Sequence, residues 1–175
     1  IIVLFSSFTN VFVAVFVGFI FTAIVQSSSV TTGLVVVLAQ NGLIDLNMGL
    51  PLLIGANIGS STTALLASMD LNLHARRVGV ANFMFNLGGA IIFLPILSLF
   101  INSIQMLGGG IGQQVANSHI IFNIVTVIIF LILVKPFSRF VKKIVPGEEE
   151  EILFKSKYLL ASSSNIVFAF LFLFL

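Results

Sequence analysis

Three long stretches without charge constrain this chain more than any other feature. No Asp, Glu, Lys or Arg occurs from Ile1 to Ile44, from Leu46 to Met69, or from Val78 to Val134. A water-facing surface needs charge along such lengths, whereas a lipid-facing surface excludes it. Charged residues make up 8% of the sequence and hydrophobic ones 58%, against about 25% charged in soluble domains. The apolar content recurs along the whole chain, so a leader of about 7–15 apolar residues does not account for it. The chain therefore reads as an all-α integral membrane protein, since within lipid a helix satisfies its own backbone groups.

Other chemistries are excluded by composition. Cysteine is absent, which removes disulfides, thiolate nucleophiles and Cys-based metal sites. The net charge is +2, and its basic residues stand beside apolar segments, where they act as topology signals and not as a nucleic-acid surface. The start at Ile1, without a Met, suggests a fragment or a processed product.

The cleanest predicted spans are Val78 to Ile101 and Val115 to Val134, each roughly 30–36 Å long at helical rise. Arg76 and Arg77 precede the first; Lys135, Arg139, Lys142 and Lys143 follow the second. Two spans joined by the uncharged Asn102 to Gln114 loop return the chain to one side, so the positive-inside rule places both basic clusters in the cytoplasm. Residues 1–145 form the membrane unit, and 146–157 a charged cytoplasmic linker containing Glu148 to Glu151. Residues 158–175 form a C-terminal apolar helix, whose Ser162 to Asn165 cluster reads as side chains bonded back to the helix backbone.

The first 70 residues follow a different pattern. Val11 to Val25 is apolar but only about 22 Å long as a helix, and it meets Gln26-Ser27-Ser28-Ser29 before apolar character resumes at Val30. Gln40-Asn41-Gly42 is a turn signal. A second run, Met48 to Ile54, meets Gly55-Ala56-Asn57-Ile58-Gly59-Ser60-Ser61-Thr62-Thr63 and resumes as Ala64 to Ala67. Short apolar segments interrupted by small polar residues predict two helix breaks, in re-entrant hairpins or discontinuous helices, that meet near the bilayer centre.

A broken helix offers free N–H groups, which suit an anion, and free C=O groups, which suit a cation. The hydroxyls and amides of these segments add neutral oxygen ligands that fit Na⁺ better than a transition metal. Neither break contains a carboxylate, and Asp45 falls in a turn, so sodium coupling is favoured over proton coupling. The competing account is that Gly, Ser and Thr permit close helix packing. Asn82 with Asn86 and His119 with Asn123 form two polar-x-x-Phe-Asn units, each pair on one helix face. They either brace the site or bond neighbouring spans. An enzyme is not expected: the serines lack a base, with His74 in a loop, His119 on another helix and no carboxylate placed to orient either.

The segments VQSSSVTTG (Val25 to Gly33), GANIGSSTTALLAS (Gly55 to Ser68), ANFMFNLGGAIIFLP (Ala81 to Pro95) and ANSHIIFN (Ala116 to Asn123) resemble the type II sodium-dependent phosphate cotransporter family. The resemblance covers roughly Val11 to Lys143. It implies symport of inorganic phosphate with Na⁺ in the cell membrane, on a core of two inverted repeats whose binding site lies where they meet. By that resemblance Gln26, Ser27, Ser28, Ser29 and Thr32 bind phosphate and Na⁺, with Asn57, Ser60 and Ser61 lining the second break. Na⁺ itself would sit at Gln26, Ser28, Ser29, Asn57 and Ser60, with no further cofactor. Ser60-Ser61 replaces the family's usual Thr-Thr and keeps its hydroxyls; Asn82 stands where the family often has His. A single Gln-Ser-Ser-Ser means one repeat, half of the core. Its partner would come from a missing segment, another chain or an antiparallel homodimer. The alternatives are a carrier for another oxyanion, and a channel or accessory membrane subunit.

Overall fold

Asn10 opens the first helix, its side-chain oxygen accepting from the Phe12 N–H at 2.9 Å as an N-cap does. The structure is a computed structural model describing residues 10–147. Its elements are α1 (Val11–Val25), α2 (Ser28–Gln40), α3 (Leu46–Ser68), α4 (Leu73–Phe93), α5 (Leu97–Met106), α6 (Ile111–Ile132) and α7 (Val134–Ile144). The C-terminal apolar segment from Tyr158 and its serine cluster lie outside the described residues.

With 15 and 13 residues, α1 and α2 are about 22 and 20 Å long, short of the ~30 Å hydrocarbon layer. They fold back on each other at Gln26-Ser27, and the buried hydroxyls of Thr22 and Thr31 hydrogen-bond across the pair at 2.7 Å. The first predicted break is present. The pair is a helical hairpin with its tip at Gln26-Ser27, and Gln40-Asn41-Gly42 forms the predicted turn, with Gly42 at φ +68°.

The second predicted break does not form. Residues 55–63 lie within α3, 23 residues long and unbroken. Two glycines cost a helix only about 1 kcal/mol each, and the hydroxyls there bond back into the same helix instead of opening it. Ser60 Oγ donates to the Asn57 carbonyl at 3.0 Å, and Ser61 and Thr62 donate to the Ile58 carbonyl at 2.7 and 3.2 Å. Gly55 and Gly59 instead form a packing face. A Cβ on Gly55 would collide with the Val15 carbonyl, one on Gly59 with the Phe19 carbonyl, and one on Gly18 with the Leu52 carbonyl. Helix α1 thus lies parallel to α3 at near-backbone contact, the close approach that small-xxx-small spacing permits.

Every residue from Gly49 to Gly59 is buried, so α3 is central, with α1, α2, α4 and α6 around it. Helices α3 and α6 are each long and apolar enough to cross a membrane. The predicted span Val78 to Ile101 is not continuous: α4 ends at Phe93, and α5 leaves at 83°. Pro95 lies in the break, and its ring and missing N–H prevent the helix from continuing. Phe93 spans the corner, its ring 4.8 Å from both Phe100 and Phe122. The second predicted span is α6, shifted to Ile111–Ile132. Helices α4 and α6 run antiparallel, with Phe85 against Phe130 at 5.0 Å.

Candidate functional site

The hairpin tip is built by two residues with different tasks. Gln26 has φ +60° and ψ 23°, left-handed, and its N–H donates to the Thr22 carbonyl at 2.7 Å, closing α1. Ser27 is extended and caps α2, its hydroxyl accepting from the Val30 N–H at 3.4 Å. Its carbonyl accepts from the N–H and hydroxyl of Thr31. Ser28 and Ser29 begin α2, whose opening turn presents backbone N–H groups that no helical carbonyl satisfies. Gln26 and Ser29 are exposed on this chain; Ser27 and Ser28 are half-buried.

The tip lies far along α3. Gly59, which packs on Thr22 and Ala23, is about 20 Å along α3 from Leu46. The residues just before Gln26 therefore stand beside the segment leading into Ser60 and Ser61. Polar contacts to α6 hold the neighbouring positions: Thr32 Oγ1 lies 3.5 Å from His119 Nδ1, and Asn57 Nδ2 donates to Asn123 Oδ1 at 3.5 Å. Asn57, Ser118 and His119 line a small cleft with Leu53, Ile54 and Phe122.

The sequence-identified residues therefore divide into three groups. Gln26, Ser27, Ser28 and Ser29 are together at the tip. Thr32 and Asn57 face α6, while Ser60 and Ser61 direct their hydroxyl protons into α3. Of the polar-x-x-Phe-Asn units, His119–Asn123 joins α6 to α2 and α3. In the other, Asn86 Nδ2 donates to the carbonyl and side chain of Asn82 at 3.1 and 3.2 Å, within α4. The Thr22–Thr31 pair was not identified from the sequence, because Thr22 falls inside an otherwise apolar run. Its signal was symmetry: one threonine four residues before Gln26 and one three residues after Ser28. Among the described residues, no group of three or more His, Cys, Asp or Glu converges as a metal site, so a cation here would rely on hydroxyl, amide and carbonyl oxygens.

Comparison with known proteins agrees with this architecture. Residues 2–101 match the family model described as Na+/Pi-cotransporter. The chain is 30% identical over 135 residues to Bacillus subtilis YqeW, covering 77% of this chain and 44% of that protein. It is 33% identical over 149 residues to the putative inorganic phosphate export protein YjbB of Escherichia coli K12, covering 85% and 27%. To the mouse sodium-dependent phosphate transport protein 2C it is 42% identical over 94 residues, covering 50% and 16%. The chain thus spans less than half the length of each of these relatives, and no solved structure matches it significantly. With more than half of its length matched by the family model, this chain is a member of the Na+/Pi-cotransporter family.

Proposed function

We propose that this chain supplies one repeat of a carrier that moves inorganic phosphate across the cell membrane with Na⁺. The observation that carries the reading is the hairpin tip, where Gln26, Ser27, Ser28 and Ser29 stand at a helix break deep beside α3. Phosphate is met there by the free N–H groups of Ser28 and Ser29 and by their hydroxyls, while oxygens of Gln26, Ser28 and Ser29 serve Na⁺. Thr32 and Asn57, held by α6, and Ser60, bonded within α3, stand behind the tip in the same site. No Lys or Arg lies between Ile1 and Ile44, so the positive potential around the anion comes from the helix end and bound Na⁺. Exposure of Gln26 and Ser29 on this chain supports a site completed by a second repeat, from another segment or another copy.

Linkage makes the test quantitative: if Na⁺ raises phosphate affinity, phosphate must raise Na⁺ affinity by the same factor. In vesicles holding the assembled transporter, replacing Na⁺ by choline should abolish concentrative uptake and weaken phosphate binding. Ser28→Ala should cost about ten- to a hundredfold in affinity, as expected for a hydroxyl bonded to a charged ligand. Unchanged phosphate affinity in choline, with normal expression, would refute coupling and favour a channel or accessory role. The relatives named as phosphate exporters align with 85% of this chain, which favours a second reading, outward transport. Loading vesicles with phosphate under a reversed Na⁺ gradient tests that direction.

A further inference from the structure

Helix α7 has a feature that phosphate transport does not use. It begins immediately after α6, where Pro136 cannot donate an N–H to the Ile132 carbonyl and the long helix is interrupted at Leu133. At 100° per residue, Lys135, Arg139, Lys142 and Lys143 fall within about 100° of arc, with Phe137, Phe140, Val141 and Ile144 on the opposite side. The apolar side is only partly covered by protein. Val141 is buried and the Phe137 ring lies 4.9 Å from that of Phe130, but Phe140 and Ile144 are 52% and 45% exposed.

Position determines what covers the remainder. Helix α6, at 22 residues, already uses about 33 Å of membrane depth. A free α7 would project a further ~16 Å into water. Instead Arg77, near the start of α4, donates from Nε to the Val145 carbonyl at 3.1 Å and from Nη2 to the Gly147 carbonyl at 3.0 Å. The far end of α7 is therefore tied to the beginning of a membrane helix and held at headgroup depth. Arg76, Arg77 and the four α7 cations gather at this end, where Asp70 is the carboxylate among the described residues.

We propose that α7 is a membrane-surface helix that binds anionic phospholipid headgroups through Lys135, Arg139 and Lys143 while Phe140 and Ile144 enter the acyl boundary. An apolar stripe opposite a cationic one is the pattern of an interfacial helix, and each cation near an anionic surface strengthens binding about fivefold. The occupant is lipid because exposed aromatic and aliphatic side chains continue from the lipid-facing surface of α6, where Ile128 and Ile132 are also exposed.

The test is hydrogen exchange of residues 134–147 in the whole protein, in nanodiscs of phosphatidylcholine alone and of phosphatidylcholine with one quarter phosphatidylglycerol. Exchange should be several-fold slower in the anionic discs, and the difference should disappear at high salt. Lys135→Gln with Arg139→Gln and Lys143→Gln together should remove the difference between the two lipids. Phe140→Ser should instead speed exchange in both lipids. Equal exchange of the unaltered protein in the two lipids would overturn the proposal without any variant needing to fold. So would protection reproduced in neutral discs by free inorganic phosphate, or by an added protein partner with no dependence on lipid charge.

Discussion

Gln26 occupies a backbone region that costs a side chain about 1 kcal/mol, and glycine would avoid that cost. Two substitutions therefore separate conformation from chemistry. Gln26→Gly should leave thermal stability unchanged or higher by up to about 1 kcal/mol, yet depress Na⁺-dependent uptake as strongly as Gln26→Ala. Uptake retained in the glycine variant would show that the amide has no contact with ligand. The Thr22–Thr31 pair makes a sharper stability prediction. Thr31→Val leaves the fully buried Thr22 hydroxyl without its cross-hairpin partner. Thr22→Val leaves Thr31 still bonded to the Ser27 carbonyl at 3.1 Å. Thr31→Val should therefore be the costlier change, about 0.6–2 kcal/mol within a membrane. The double variant should cost less than the sum of the two, because removing both partners leaves nothing unpaired. A double-mutant cycle by thermal unfolding measures this, and strict additivity would show that the bond contributes nothing.

At the scale of elements, the contact of α1 with α3 is the joint most sensitive to volume. Gly55→Ala must separate the two backbones and should cost about 1–3 kcal/mol. Gly33→Ala, where an added Cβ meets nothing within 4 Å, should be neutral or stabilising by up to about 1 kcal/mol. Thermal unfolding of both in detergent provides the comparison; equal effects would refute the packing role. These glycines also mark where the sequence misleads. Gly-Ala-Asn-Ile-Gly is compatible with a break and with a packing stripe, and local composition does not distinguish them, since the facing Val15 and Phe19 lie some forty residues earlier. The break at Gln26 was legible because an apolar segment too short to span ended at it. The bend at Pro95 was not recognised because Leu94 and Ile96 are as apolar as their neighbours, so hydropathy runs through it unchanged.

For the whole molecule, the hydrogen bonds from Arg77 to Val145 and Gly147 place the two basic clusters at one end, as the return of charge in the sequence had indicated. The Gly108–Gly110 loop sits at the other end. Single cysteines at positions 76 and 142 should react with a membrane-impermeant reagent from one side, and a cysteine at position 109 from the other. Labelling of 76 and 142 from opposite sides would refute the arrangement. The hairpin has a consequence for biosynthesis. Its two arms carry no charge, each is shorter than the hydrocarbon layer, and the surface that receives α1 is on α3, which the ribosome makes afterwards. A chain truncated after Asp45 therefore lacks the surface that Thr22 and Ala23 pack on, and a cysteine placed at position 23 should react readily with a thiol reagent. In a chain extended past Arg77, with α3 made, the same cysteine should be shielded, so the element at the proposed binding site takes its place only once a later helix is available.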